Sequence, residues 1–218
     1  MTDYLYEAFD FSPAYRERLI EMIRHNTNVE MGGYRLYDGT YSHAVQIPEE
    51  LADYILALKE HERDVRPLSR FLEIGFASGV TNTILNKFFN FDEIVSIDNL
   101  SGPPLGVNFW ANLRFKNLTL VCGESTTERA IETASSRGHF DLVFIDGDHS
   151  YEGVSRDIAN YSPMLSEKGI LTFHDIATEG TGVPQAWEDL KASGQWTTRE
   201  FVCDSYQRPF GIGLAVRG

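Results

Sequence analysis

The sequence predicts an α/β fold built around a doubly wound sheet of mostly parallel strands. The stretch 71–79 (FLEIGFASG) combines a short apolar run with two glycines and leads into a helix-like run, which is typical of a buried strand, a tight turn and a helix. A second strand-like run, IVSID, ends at Asp98 at a distance that suits one right-handed strand–helix–strand unit. Further strand-like and helix-like segments alternate towards residue 218, which favours the same architecture.

The segment before this unit is predicted to be a helical extension over residues 1–66, followed by the main domain over 67–218. A first helix is expected from Pro13 with Ser12 as its N-cap, and a second from Pro48, where apolar residues recur at helical spacing. The Gly- and Tyr-rich stretch 26–48 between them has two open interpretations. It is either a loop that packs its tyrosines on the domain or a lid over the substrate.

The rest of the chain is predicted as alternating strands and helices. Strands are expected over 71–74, 94–97, 117–123, 140–145, from 169 to 176, 197–204 and 211–216, the last two joined by the turn SYQRP. Helices are expected over 79–89, 107–115, from Thr126 or Thr127 to Gly138, 151–165 and 182–194.

The glycine-containing turn after the first strand is the first candidate binding site. A helix N-terminus offers unpaired N–H groups, and Glu73 and Asp98 add carboxylate acceptors at the ends of the two strands. A nicotinamide dinucleotide site requires G-x-G-x-x-G, whereas the spacing here is E-x-G-x-x-x-G, with Ala77 and Ser78 before the second glycine. The spacing therefore disfavours a dinucleotide.

A cluster of ionisable residues after two later strands is the second candidate site. Asp146, Asp148 and His149 follow the strand 140–145, and His174 and Asp175 end the next one. Because parallel strands end at the same edge of a sheet, these groups are expected to converge there. Carboxylates suit Mg²⁺, and imidazole shifts the preference towards Mn²⁺, Fe²⁺ or Zn²⁺. The alternative is structural: acids are also favoured at helix N-termini, and His174 or Asp175 could cap the segment that follows.

Both stretches resemble a known family. The E-x-G-x-x-x-G loop followed by Asp98 resembles motif I of the class I S-adenosylmethionine (SAM)-dependent methyltransferases. The run FIDGDHSYEGV resembles the methyltransferase-24 type, which is akin to metal-dependent small-molecule O-methyltransferases. The segment VQIPEE is similar to one before the cofactor domain of catechol and caffeoyl-CoA O-methyltransferases. The resemblance implies a Rossmann-like, seven-stranded sheet in the order 3-2-1-4-5-7-6 with helices on both faces.

The resemblance also implies roles for individual residues. The glycine loop would pass under the methionine part of SAM, Asp98 would bind the ribose hydroxyls, and the turn after the third strand would contact the adenine. A helix N-cap is the alternative for Ser125 in that turn. The expected cofactor-binding residues are Glu73, Gly75, Ala77, Gly79, Asp98, Glu124, Ser125 and Asp146.

The second site would hold the metal and the proton acceptor. Asp146 and Asp175 would be metal ligands, joined by His174. His174 stands where related metal-dependent O-methyltransferases that act on sugars have a second acid. Asp148 would act as general base, with His149 as its rival because imidazole titrates near neutrality. The resemblance thus implies SAM-dependent methyl transfer to a hydroxyl of a small molecule, assisted by Mg²⁺ or another divalent metal. A nicotinamide-dependent oxidoreductase and a non-catalytic nucleotide-binding member of the fold are the alternatives.

The composition and net charge of the chain indicate which classes of partner and which location to expect. The net charge of −13 disfavours nucleic acid and anionic membranes, so a small-molecule acceptor is expected. No apolar run approaches the ~18 residues of a membrane span, and the first residues do not have the pattern of a signal peptide. Cys122 and Cys203 form no disulfide framework, which indicates a cytoplasmic protein. A homodimer is left open.

Overall fold

A computed structural model describes residues 9–26, 46–77, 79–101, 116–205 and 210–218. Three predicted features lie wholly or mostly outside these residues: the lid over 26–48, the helix over 107–115 and the SYQRP turn. Within the described residues, no helix is both long and apolar enough to cross a membrane.

The described chain alternates helices and strands in the predicted manner. The helices are α1 (Pro13–Asn26), α2 (Pro48–Asp64), α3 (Val80–Phe88), α4 (Glu128–Ser136), α5 (Tyr151–Tyr161) and α6 (Val183–Ala192). The strands are β1 (Arg70–Ile74), β2 (Glu93–Asp98), β3 (Leu118–Cys122), β4 (Phe140–Ile145), β5 (Leu165–His174), β6 (Trp196–Phe201) and β7 (Ile212–Arg217).

These strands form one seven-stranded sheet in the order β3-β2-β1-β4-β5-β7-β6, which confirms the predicted order. The pairs among β1 to β5 are parallel, and β7 runs antiparallel to both β5 and β6. The carboxyl ends of β1, β2, β4 and β5 therefore lie at one edge of the sheet, where open α/β sheets bind ligands.

Alternate side chains of each strand enter two hydrophobic clusters, one on each face of the sheet. Phe71 faces α1, α2 and α3, whereas its neighbour Leu72 faces α4, α5 and α6. The same alternation separates Phe144 from Val143 and Ile145 in β4, all six residues of which are buried. Helices thus cover both faces, as predicted.

The second helix is part of this core. The hydroxyl group of Tyr54 in α2 lies 3.0 Å from that of Thr172 in β5, and its ring contacts Phe144 edge-on. Both hydroxyls are buried, so this hydrogen bond satisfies two groups that would otherwise be costly. The division of the chain at residue 66 stays a prediction, but α2 and the sheet share one hydrophobic cluster.

The N-caps of two helices, α1 and α4, are residues at which the sequence predicts a helix start. The hydroxyl of Ser12 accepts a hydrogen bond from the backbone N–H of Tyr15, which confirms it as the cap of α1. Thr127 caps α4 by accepting from the N–H of Ala130. The N-cap interpretation of Ser125 is therefore wrong, because α4 begins too far along the chain for its hydroxyl to serve.

The largest differences from the predicted element boundaries lie between α5 and β5. The helix expected over 151–165 ends at Tyr161 and is followed by a short 3₁₀ turn, Ser162–Met164, that contains Pro163. Proline has no N–H to continue the helical ladder, which explains the early end. The next strand then begins at Leu165 rather than at residue 169, and its pairing with β4 is irregular near Phe140.

Candidate active site

The loops after β1 and β4 are in close backbone contact at Gly75. A Cβ atom at this position would lie 1.9 Å from the carbonyl oxygen of Asp146, and the φ angle of Gly75 is +91°. Only glycine fits both conditions. Gly75 donates to the carbonyl of Ile97 and Asp146 donates to that of Ile74, both at 2.8 Å, so the glycine loop and the predicted metal ligand are held together.

Asp98 supports the glycine loop through its carboxylate. Its Oδ2 atom accepts from the backbone N–H of Ala77 at 2.7 Å, and its Oδ1 atom accepts from that of Leu100 at 2.6 Å. Both donors have positive φ angles, +45° for Ala77 and +56° for Leu100, so the carboxylate stabilises a strained backbone. Each oxygen keeps a further lone pair, which leaves Asp98 able to accept the predicted ribose hydroxyls.

Glu73 lies in the core beneath this loop rather than at its surface. Its carboxyl group is almost fully buried and accepts from Ser96 at 2.7 Å and from Asn82 at 3.0 Å. Burial raises the pKa of Glu73 to about 8, against the opposing effect of these two hydrogen bonds. Glu73 therefore ties β1 to β2 and α3, and its direct contact with a cofactor stays a prediction.

The turn after β3 contains Glu124 and Ser125. Glu124 accepts from the side-chain amide of Asn99 at 3.0 Å and so joins the turns after β2 and β3. Ser125 donates to Oδ1 of the buried Asp157 in α5 at 2.6 Å, and its carbonyl accepts from the hydroxyl of Tyr161. Their contact with adenine stays a prediction, but both residues follow β3 and therefore lie at the same edge of the sheet as Asp98.

Four ionisable side chains meet where β4 and β5 end. Nε2 of His149 lies 3.5 Å from Oδ1 of Asp146 and 3.3 Å from Oδ2 of Asp175. Nδ1 of His174 lies 3.3 Å from each of the same two oxygens. Two carboxylates are thus bridged by two imidazoles, a half-exposed one and a buried one.

Electrostatics within this cluster favours charged imidazole and ionised carboxylate. Burial by itself lowers the pKa of His174, but the charges and hydrogen bonds of Asp146 and Asp175 outweigh it and raise that pKa well above its ordinary value. Burial likewise tends to raise the pKa of Asp175, whereas its interactions with His174 lower it to about 2. The hydrogen bond to Asp146 raises the pKa of His149.

The histidine best placed to bind a metal is His149, which the sequence had assigned as a rival base. One ligand atom from each of Asp146, His149 and Asp175 lies within 4.8 Å of the others. These donors, two carboxylate oxygens and one imidazole nitrogen, fit a divalent ion that accepts both atom types, such as Mn²⁺, Fe²⁺ or Zn²⁺. Nδ1 of His174 approaches the same two carboxylate oxygens from their buried side, and the predicted role of His174 as a ligand stays a prediction.

Asp148 lies beside this cluster in a different environment. Its Oδ1 atom accepts from the N–H of Ser150 at 2.8 Å, immediately before α5. A Cβ atom on Gly153 would lie 2.2 Å from its carboxyl group, so the side chain rests on the first turn of that helix. Asp148 is exposed, and its role as general base stays a prediction.

Sequence reasoning missed the role of Glu50. This residue is 1% exposed, and its two carboxylate oxygens accept from the N–H groups of Cys203 and Gly211, each at 2.9 Å. Gly211 precedes β7, whose residue Ile212 pairs with His174. The signal was available: Glu50 and Tyr54 are four residues apart on the buried face of α2.

A comparison with known protein families points to methyltransferases. Residues 72–176 match the model of a family described as a methyltransferase domain, Methyltransf_24. One curated protein, the uncharacterized protein y4gI of Sinorhizobium fredii (strain NBRC 101917 / NGR234), is 41% identical over 54 residues, which is 24% of this chain. The match spans only 6% of the length of that protein.

Solved structures share the fold at low sequence identity. N-methyltransferase NodS from Bradyrhizobium japonicum WM9, in complex with S-adenosyl-L-homocysteine (SAH), has a TM-score of 0.56 and 16% identity, covering 94% of this chain and 97% of its own. The O-methyltransferase TomG from Streptomyces achromogenes, in complex with SAM, has a TM-score of 0.59 and 16% identity, with 80% and 81% covered.

A third structure contains a metal. MycE methyltransferase from the mycinamycin biosynthetic pathway, in complex with Mg and SAH, has a TM-score of 0.53 and 18% identity, covering 78% of this chain and 54% of its own. At these identities the structures establish the fold. Residues 72–176 of this chain therefore match a methyltransferase-domain family, and the chain shares the fold of these three methyltransferases.

Proposed function

We propose that this protein transfers the methyl group of SAM to a hydroxyl of a small molecule. The observation that carries the proposal is the Gly75–Asp146 contact. It joins the glycine loop to the acid–histidine cluster, which consists of Asp146, His149, His174 and Asp175. A cofactor held over the glycine loop would present its sulfonium methyl towards groups able to orient and deprotonate an acceptor. The structures of TomG with SAM and NodS with SAH support the choice of cofactor.

The cofactor would be bound by the carboxyl-terminal edge of the sheet. Asp98 would accept the ribose hydroxyls with its remaining lone pairs, and Glu124 and Ser125 would flank the adenine. Gly75, Ala77 and Gly79 would allow the backbone to approach the methionine part closely. Asp146 would face both the cofactor and the metal, because its backbone belongs to the loop packed on Gly75.

The acid–histidine cluster would act on the acceptor. Asp146, His149 and Asp175 would hold a divalent ion, with His174 as a buried positive charge behind the two carboxylates. When bound, such an ion lowers the pKa of a hydroxyl group and orients it. Asp148 would accept the proton, since His149 cannot do so while it binds metal. Positioning the hydroxyl in line with the methyl group contributes most of the acceleration, up to roughly 7–11 kcal/mol in favourable systems.

The cofactor assignment is tested by calorimetric titration with SAM, SAH and NAD⁺. We expect micromolar binding of SAM and SAH and none of NAD⁺. Absence of SAM and SAH binding would overturn the proposal, and binding of NAD⁺ alone would favour an oxidoreductase.

The division of roles is tested with two variants and an acceptor screen. SAH release would be measured with a panel of catechols, sugars and amines. With any acceptor found, Asp148→Asn should lower kcat about a hundredfold or more at unchanged SAH affinity. Asp98→Ala should weaken SAH binding about tenfold or more. Equal effects of both variants on SAH affinity would contradict this assignment, and turnover of amines alone would replace the hydroxyl acceptor with nitrogen.

The remaining assignments concern partners and location. We propose a small-molecule acceptor rather than nucleic acid, supported by the net charge of −13. A cytoplasmic location is supported by two free cysteines, of which Cys122 is exposed. The homodimer stays a prediction, which light scattering of the purified protein would test.

A further inference from the structure

The segment Gln46–Glu50 joins the two halves of the site. At one end, Nε2 of Gln46 lies 3.4 Å from the hydroxyl of Thr81, in the first turn of α3. At the other end, Glu50 is hydrogen-bonded to the N–H of Gly211, whose carbonyl accepts from Ile176 beyond the acid–histidine cluster. The segment therefore runs along the carboxyl-terminal edge of the sheet between the glycine loop and that cluster.

Gln46 has a polar atom that the described residues do not satisfy. The side chain is only 1% exposed, and its Oε1 atom is buried without a hydrogen-bond partner among them. The adjoining Ile47 is fully buried and fixes the start of α2, so the amide cannot easily turn towards solvent. A buried amide oxygen of this kind is unfavourable unless a ligand supplies a donor.

The position of this oxygen specifies the chemistry of that ligand. The first turn of α3 beside it carries backbone N–H groups without helical partners, which favour an anion. A group that fits both features carries a hydrogen-bond donor and an anion a few atoms apart. The α-ammonium and α-carboxylate of the methionine part of SAM have this arrangement, and the glycine loop leads directly into α3.

We propose that Gln46 completes the amino-acid end of the SAM site, with its Oε1 atom accepting a hydrogen bond from the α-ammonium group while the first turn of α3 receives the α-carboxylate. This inference rests on the proposed function and adds to it a positioning residue outside the glycine loop. Because the segment continues to Glu50, occupation of this end would also hold α2 against the cluster where methyl transfer takes place.

The test compares ligands with and without the amino-acid end. SAH and 5′-methylthioadenosine share adenosine and sulfur, but only SAH has the ammonium and carboxylate groups. Gln46→Met, close in size and without a strong acceptor, should weaken SAH binding about tenfold to a hundredfold and leave 5′-methylthioadenosine binding unchanged. Asp98→Ala is the matched control, because it should weaken both ligands to a similar extent.

A second measurement needs no variant. The unaltered protein should bind SAH about tenfold or more tightly than an SAH analogue in which hydrogen replaces the amino group. Equal affinities would overturn the proposal even if Gln46→Met failed to fold.

The remaining outcomes separate this inference from the proposed function. An equal loss for SAH and 5′-methylthioadenosine in Gln46→Met, or no loss for either, would overturn the role of Gln46 while leaving SAM as the cofactor. Failure of the unaltered protein to bind either ligand would overturn both.

Discussion

Nε2 of His149 lies 3.3 Å from Oδ2 of Asp175, although the two residues follow different strands of the sheet. The side chain of His149 is 47% exposed and that of Asp175 only 7%, so a solvent-accessible imidazole meets a buried carboxylate. With Asp146 at 3.5 Å from the same nitrogen, the three groups form the best-placed candidate metal site among the described residues.

The first prediction concerns this metal site. His149→Ala should weaken Mn²⁺ binding about tenfold or more, because it removes one of three converging ligand atoms. His139→Ala is the matched control, since His139 is also exposed but precedes β4 instead of following it. The measurement is calorimetric titration with Mn²⁺ in the presence of SAH. Equal affinities of both variants for Mn²⁺ would remove His149 from the ligand set.

The second prediction concerns the contact of Gly75 with Asp146. Gly75→Ala should lower the free energy of unfolding by about 3 kcal/mol or more, since its Cβ would overlap the carbonyl of Asp146. Gly194→Ala is the control: its φ angle is also positive, +68°, but no atom lies within 4 Å of a Cβ there. Gly194→Ala should lower the free energy of unfolding by only ~1–2 kcal/mol, which is the cost of a left-handed backbone conformation for a residue with a Cβ atom.

Urea unfolding of the unaltered protein and both glycine variants provides this measurement. SAH affinity should fall only in Gly75→Ala. Similar losses of stability in the two variants would show that the loops after β1 and β4 can separate without cost.

The third prediction concerns the buried carboxyl of Glu73, whose pKa burial raises to about 8. Between its ordinary pKa and 8, the unfolded chain has lost this proton and the folded protein keeps it. The contribution of Glu73 to stability is therefore complete at acidic pH, falls by up to about 1.4 kcal/mol per pH unit in this window, and is constant above pH 8.

Glu73→Gln should remove this contribution. The free energy of unfolding of the variant, relative to the unaltered protein, should rise steadily from pH 5 to pH 8. Urea unfolding at pH 5, 6, 7 and 8 provides the comparison, in which all other titrating groups are common to both proteins. Parallel pH profiles would mean that Glu73 is ionised in the folded protein.

The fourth prediction concerns the anchor formed by Glu50. Glu50→Gln should destabilise the protein by about 2 kcal/mol, because an amide can accept with only one of its two terminal atoms while two backbone N–H groups face it. Glu49→Gln is the control, since Glu49 belongs to the same helical turn but pairs with Arg24 near the surface. We expect a change of at most about 0.5 kcal/mol there.

Thermal unfolding with and without SAH separates the two glutamate variants further. Glu50→Gln should also reduce the stabilisation that SAH provides, since Glu50 holds the segment that contains Gln46. If SAH stabilises Glu50→Gln against thermal unfolding as much as it stabilises the unaltered protein, Glu50 supports only the core and not the SAH site.

The sequence by itself determined the order of the elements along the chain and the edge of the sheet that carries the candidate site. Apolar runs and glycine turns are local signals, and the parallel order then places Asp98, Asp146 and Asp175 at one edge. The early end of α5 was also open to local reasoning, because Pro163 was visible in the sequence.

Only the tertiary structure decided which side chains meet. His149 rather than His174 faces the accessible side of the two carboxylates, because β5 buries the latter imidazole. Glu73 lies in the core although its motif suggested the cofactor, because Ser96 and Asn82 reach it from other elements. Such contacts depend on the packing of strands and helices distant in sequence, and no local pattern encodes which of several neighbouring groups will be buried.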